Sequence, residues 1–248
     1  MKILIAGESW ITTATHIKGV DQFTLSSYVV GVGPLRDALE SAGHEVVHLP
    51  AHDVPDHFPY AEDLAAYDVV VLSDIGANSI LLPTAVFERS ERRPNRLDAL
   101  AEWVEQGGGL LMVGGYLSFS GIDAKAAFRG TSVEGVLPVE CVVGDDRVER
   151  PEGVEPVRTT ADHPAVAGLE ATWPHLLGYN RVELRPEAEL LATIGDDPLV
   201  AVREVGRGRS AVFTSDCAPH WAPPSFSDSW PGYVTLFDGL VRWLGDAG

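Results

Sequence analysis

Leu110-Leu111-Met112-Val113 runs without a break into Gly114-Gly115-Tyr116-Leu117-Ser118. Four consecutive apolar residues at strand length predict a β-strand covered on both faces, the signature of a parallel sheet buried between helices. Paired glycines directly after it predict a tight, strained elbow at the strand's carboxyl end. Enzymes of the α/β class expose a nucleophile on such a strand-to-helix elbow. Here the tip residue is Tyr116, neither Cys nor Ser.

The segments around this strand support the same architecture. Residues 2–6 read as a first strand ending at Gly7-Glu8-Ser9, followed by a polar loop from Trp10 to Ser27. Val32 to Ala42 has helical spacing of Leu35, Ala38, Leu39 and Ala42, with Gly43 placed to end it. Glu45 to Leu49 and Asp68 to Asp74 read as strands, with a short helix from Tyr60 to Ala66 between them. Asn95 to Gln106 is an amphipathic helix closed by Gly107-Gly108-Gly109. Strands alternating with helices at this spacing imply right-handed crossovers and a parallel sheet. Beyond residue 121 the pattern predicts short strands at Val133–Leu137, Val139–Val143 and Val154–Arg158. Three more follow at Ala188–Ile194, Leu199–Glu204 and Arg209–Ser215, the last two joined as a hairpin through Val205-Gly206-Arg207-Gly208. Tyr233 to Leu244 reads as a final amphipathic helix. No linker or repeat interrupts the chain, so residues 1–248 are expected to form one domain.

The 36 acidic residues against 18 Lys and Arg give a net charge of −18. Such a surface repels nucleic acid phosphates and anionic lipid, so neither is an expected partner. No apolar run approaches a membrane span, and the start of the chain lacks the form of a signal peptide. Two cysteines, Cys141 and Cys217, form no CxxC pair or disulfide framework, which fits a cytoplasmic location.

Several stretches taken together resemble the class I glutamine amidotransferase-like family. They are Ile5-Ala6-Gly7-Glu8-Ser9-Trp10, Leu72 to Asn78, Gly114 to Phe119, Leu177-Gly178-Tyr179-Asn180 and Phe213 to Trp221. The resemblance is to the "putative glutamine amidotransferase" branch, and more distantly to ThuA-like proteins. It implies an α/β fold: a flavodoxin-like three-layer sandwich around a mostly parallel sheet, with a β-rich C-terminal extension of the same domain. It also implies a site at the carboxyl ends of the strands, where open parallel sheets bind ligands. Active members carry a Cys at the elbow tip and a His followed two residues later by Glu. On that pattern Tyr116 replaces the Cys, Ser118 replaces a Gly, and Ala222 stands where the Glu would follow His220. Glutaminase activity by the usual mechanism is therefore not expected.

The inferred topology gathers candidate residues around one crevice. Cys217 as nucleophile, His220 as base, Asp216 in support and Tyr116 on the floor form the catalytic set. Glu8, Ser9, Asp74, Asn78, Gly115, Ser118 and Trp221 form the ligand-binding set, with His16 placed in a loop at the same edge. The expected function is a hydrolase or acyl-transfer enzyme acting on a small molecule. The alternatives are a non-catalytic module for a small metabolite or sugar, and a scaffold subunit, with the Trp221–Trp230 segment as interface. No metal or cofactor is expected, because no GxGxxG, Walker, HxH or HExxH pattern occurs. Arg89, Arg92, Arg93, Arg96 and Arg129 are left either to bind an anion or to pair with the surplus acids. The base rate for such proteins favours a homo-oligomer.

Overall fold

The computed structural model describes residues 1–246. An eight-stranded sheet organises the chain. Its parallel half consists of β1 (Lys2–Gly7), β4 (Glu45–Leu49), β5 (Val69–Ser73), β6 (Gly109–Val113) and β14 (Gly208–Phe213). The order is β4-β1-β5-β6-β14, extended antiparallel by β13 (Asp197–Val205), β12 (Glu189–Ile194) and β9 (Pro156–Arg158). The expected mostly parallel sheet with a β-rich C-terminal continuation is present.

Alternation along each strand builds two cores. Ile3, Ile5, Val69, Val71, Leu111 and Val113 face one side, under helices Gly33–Ser41 and Gly232–Gly245. Leu4, Ala6, Val70, Leu72, Leu110 and Met112 face the other, under Ala77–Leu81 and Arg96–Glu105. Helices on both faces are why these strands read as continuous apolar runs. The Asn95 carboxamide caps the Arg96–Glu105 helix by accepting from the N–H groups of Leu97 and Asp98. Arg96 itself is buried, donating to the carbonyls of Ile80, Pro55 and Phe58. It serves the core, not an anion.

Four local expectations are corrected. Residues expected as a polar loop from Trp10 to Ser27 form a long hairpin, β2 (Ser9–Lys18) and β3 (Asp21–Val30), which among the described residues pairs only with itself. Thr, Ile and Val recur through it, and β-branched side chains favour extended backbone even where the composition is polar. Val133–Leu137 is not a strand, because Thr131 accepts from the Glu134 N–H and caps a short helix, Ser132–Val136. The strand predicted at Val154–Arg158 is divided between the end of β8 (Arg147–Val154) and β9. The elbow after β6 leads into an irregular turn instead of a helix, with Phe119 at φ 54° and a 3₁₀ segment only at Ile122–Ala124. Two small ladders complete the structure: β8 with β10 (Leu176–Asn180), and β7 (Val139–Cys141) with β11 (Val182–Leu184).

Candidate functional site

Sheet register sets the site. Gly7 is level with Ser73, Ser73 with Val113, and Val113 with Phe213, so four parallel strands end along one line. The residues just past that line are Glu8, Asp74, Gly114 and Thr214. Glu8 and Asp74 both take left-handed backbone, at φ 49° and 44°. That conformation is uncommon for non-glycine residues, and such strain concentrates at functional sites.

Below the surface lies an acid cluster. Glu8 is buried, and its Oε2 accepts from Ser73 Oγ at 2.5 Å and from Cys217 Sγ at 3.7 Å. Because β5 and β6 lie between β1 and β14, the chain past β14 must fold back over their ends to bring Cys217 there. Asp216 is buried alongside and accepts from the Ala218 N–H. Burial, reinforced by the nearby Asp74 charge, pushes the Glu8 carboxyl up to about 7. Burial, with the charges of Glu8 and Asp74, likewise drives Asp216 far above the usual carboxylate range. Asp74, half-buried, is raised by desolvation against the opposing Leu117 N–H bond and the nearby His220 charge. Burial thus favours the protonated forms of these carboxyls.

Cys217 is completely buried, and desolvation beside Glu8 and Asp216 raises its thiol well above the ordinary value. Its S–H is directed to Glu8 rather than to His220. The ground state is a protonated thiol, unlike the thiolate–imidazolium pair expected of a nucleophile. One oxygen each from Glu8 and Asp216 and the Cys217 sulfur lie within 4.8 Å of one another. A cation there would have to displace the protons that burial holds in place.

Above the cluster the surface is aromatic. His220 is exposed, with Nδ1 3.9 Å from Asp216 Oδ2. Its ring meets Tyr116 edge-on at 4.3 Å and stacks with Trp221 at 5.4 Å. Tyr116 donates its O–H to Glu149 Oε1 at 3.0 Å, and the Arg147 guanidinium lies 4.9 Å from its ring centre. The buried Trp221 donates its indole N–H to Glu149 Oε2. Burial and the Glu149 bond raise the Tyr116 phenol, which stays protonated. Tyr116 and His220 thus sit side by side where the resemblance places a Cys and a His, with Asp216 as the carboxyl behind the His.

Several predicted residues hold this surface in place. Ser118 Oγ donates to the Val113 carbonyl and accepts from the Asp74 N–H, pinning the elbow to the acid. A Cβ on Gly115, at φ 149°, would lie 2.8 Å from Asp74 Oδ1, so the close approach requires glycine. Gly31 likewise leaves room for Glu8, since a Cβ there would lie 2.6 Å from Oε1. The Ser9 hydroxyl accepts from the Ala51 N–H. Ser9, Trp10, Ile11, Tyr28, His52, Asp74 and Leu117 line a hollow of about 290 Å³ at the hairpin base. Two expected members lie elsewhere. Asn78 is exposed on the Ala77–Leu81 helix and lines a separate hollow with Pro55, Leu82 and Thr84, because the helix turns it off the strand-end line. His16 is far out on the hairpin, stacked on Phe23.

Ser73, Arg147, Glu149 and Asn180 were not singled out as site residues from sequence. Asn180 accepts from the Gly115 N–H and donates to Asp146 Oδ1, tying the elbow to β10. It lies in the Leu177–Asn180 stretch that carries the resemblance, which was the available signal. Glu149 had none, because its strand is solvent-facing and lacks an apolar pattern.

Solved structures share this fold. The cytoplasmic protein STM3548 of Salmonella typhimurium is 42% identical, covering 98% of this chain and 99% of its own, with a TM-score of 0.95. The cytoplasmic protein STM1381 of Salmonella typhimurium LT2 is also 42% identical over 98% and 99% of the two chains, with a TM-score of 0.94. A ThuA-like protein of Parabacteroides merdae shares the fold at 15% identity, with coverage of 99% and 89% and a TM-score of 0.62. No curated protein matches. Among the described residues no helix is long and apolar enough to cross a membrane. A family model described as "putative glutamine amidotransferase" matches residues 2–246, and the chain, with a Tyr at the elbow tip, belongs to that family.

Proposed function

We propose that the strand-end crevice is the site of a hydrolase that works by acid–base chemistry on a small, polar, uncharged substrate. The observation that carries this reading is the pair of strained acids, Glu8 and Asp74, on adjacent strands above a proton-holding Asp216. Perturbed carboxyls grouped in a cleft are a physical marker of acid–base sites. Asp74 lines the hollow and is placed to meet the substrate, while Glu8 and Asp216 supply and recover protons beneath it. His220, exposed at the rim and 3.9 Å from Asp216, offers a proton path to solvent. Tyr116 acts as a wall with the buried Trp221 packed against it, and Cys217 donates to Glu8 instead of attacking, while burial favours the protonated acids. Four carboxyl groups in or beside the crevice disfavour an anionic substrate. The relatives described as cytoplasmic support a cytoplasmic setting for the activity.

The second reading, a binding module for a small metabolite, draws on the modest size of the hollow. A panel of uncharged amides, esters, lactones and glycosides separates the two. The hydrolase reading expects turnover that falls at least ~100-fold in Asp74→Asn and Glu8→Gln and survives Cys217→Ala. Calorimetric binding without turnover by the wild type would establish the module instead.

A further inference from the structure

Beyond its base, where Ser9, Trp10, Ile11 and Tyr28 line the hollow, the β2–β3 hairpin is accounted for by neither the sheet nor the crevice. Beyond Ser9 at its base, every residue of its two ten-residue strands is exposed. Among the described residues, nine of the fifteen exposed large apolar side chains lie on this hairpin, including Ile11 at 61%, Ile17 at 71% and Leu25 at 57%. Opposed pairs Trp10–Val29, Ala14–Leu25 and His16–Phe23 lie on one face, interrupted there by the polar Thr12–Ser27 pair. The other face carries Ile11–Tyr28 together with hydrogen-bonded Thr13–Ser26 and Thr15–Thr24 pairs.

We infer that this hairpin is an assembly arm that pairs with the arm of a second copy of the same chain. Charge selects the occupant. The chain carries −18 overall, yet residues 9–30 contain only Lys18 and Asp21, opposite each other at the tip, and so contribute none of it. Two like-charged copies repel over the rest of their surfaces, and the neutral arm is where they can approach. A basic, acidic or nucleic acid partner would find no complementary charge there. Backbone chemistry points the same way. A two-stranded ribbon has two open edges, and natural monomers blunt such edges with Pro, inward charges or short strands. This arm has no Pro, keeps its one Lys at the tip, and is ten residues long on each side. An isolated two-stranded hairpin is also marginal in water, so its order calls for cover. Ten residues span roughly 33 Å and two strands about 10 Å, so each face offers on the order of 330 Å². The arm approaches the ~800 Å² per partner of a standard interface only when both faces are covered, by the paired arm and the body that carries it. A two-fold arrangement lets the same residues meet on both copies.

Sedimentation equilibrium of the full chain, across a concentration series at moderate salt, is the test. The expected result is a mass of at least twice 26.6 kDa for the wild type. The double variant Phe23→Lys, Leu25→Lys is expected at the single-chain mass, with wild-type circular dichroism. A milder variant, Leu25→Ser, is expected to weaken association at least tenfold and guards against misfolding of the first. A wild type that stays monomeric, or an oligomer that survives both variants, overturns the inference. So does a monomer whose arm instead binds neutral lipid vesicles. These results are independent of whether the crevice turns over a substrate.

Discussion

Tyr116 and Glu149 are joined by a 3.0 Å hydrogen bond from the phenol to the carboxylate, and this bond fixes the elbow tip against β8. A phenol committed to a carboxylate is held protonated, so it serves as a wall and not as a nucleophile. Tyr116→Phe is expected to cost about 1 kcal/mol of stability and to leave any turnover within a few-fold of wild type, measured by chemical denaturation and initial rates.

The neighbouring His220 makes a sharper test of the site's ancestry. In Tyr116→Cys the new thiol would stand at the elbow tip beside an imidazole, where thiolate formation is favoured. Iodoacetamide at neutral pH is expected to label that variant at one position, found by peptide mass mapping. The wild type should stay unlabelled until denatured, since both native cysteines are buried. Fast labelling of Cys217 in the native protein would contradict the protonated, enclosed thiol.

Stability should respond to the Glu8 proton with a definite sign. Its folded value is raised from 4.5 to about 7, so the native state binds more protons than the unfolded chain between those pH values. The stabilising contribution is complete below about pH 4.5, is lost as pH rises through about 7, and amounts to roughly 3 kcal/mol. Glu8→Gln, which mimics the neutral acid, is expected to flatten the fall in melting temperature between pH 5 and 8 relative to wild type. Parallel curves for the two proteins would exclude a raised Glu8. Asp216 is raised in the same direction, so a remaining slope is expected in this variant.

Gly115→Ala tests the contact between elbow and acid. The added methyl meets Asp74 Oδ1 at 2.8 Å in a backbone region unsuited to alanine. A loss of about 1–3 kcal/mol is expected, together with displacement of the Asp74–Leu117 bond. Asn180→Ala, which removes partners from the Gly115 N–H and from Asp146, is expected to cost about 2–4 kcal/mol. Equal melting temperatures for wild type and either variant would show that the elbow is not held this way.

The parallel core was legible in the sequence because its signals are local. Val69–Ser73 and Gly109–Val113 are apolar without interruption, and Arg96–Glu105 has one apolar stripe, so period and length decided each element before any neighbour was known. The elbow at Tyr116 and the strand-end position of Glu8, Asp74 and Asp216 followed from the same patterns. Tertiary structure decided the rest. Glu8 and Cys217 meet across 209 positions only because strand order and register align four strand ends and the chain after β14 folds back over them. That meeting, and the desolvation it brings, favours the protonated forms of ordinary carboxyls and encloses a thiol that the sequence pattern offered as a nucleophile. Glu149 and the hairpin were hidden for a related reason. An exposed strand shows no apolar alternation, and whether it lies on a sheet or projects from it depends on partners remote in the chain.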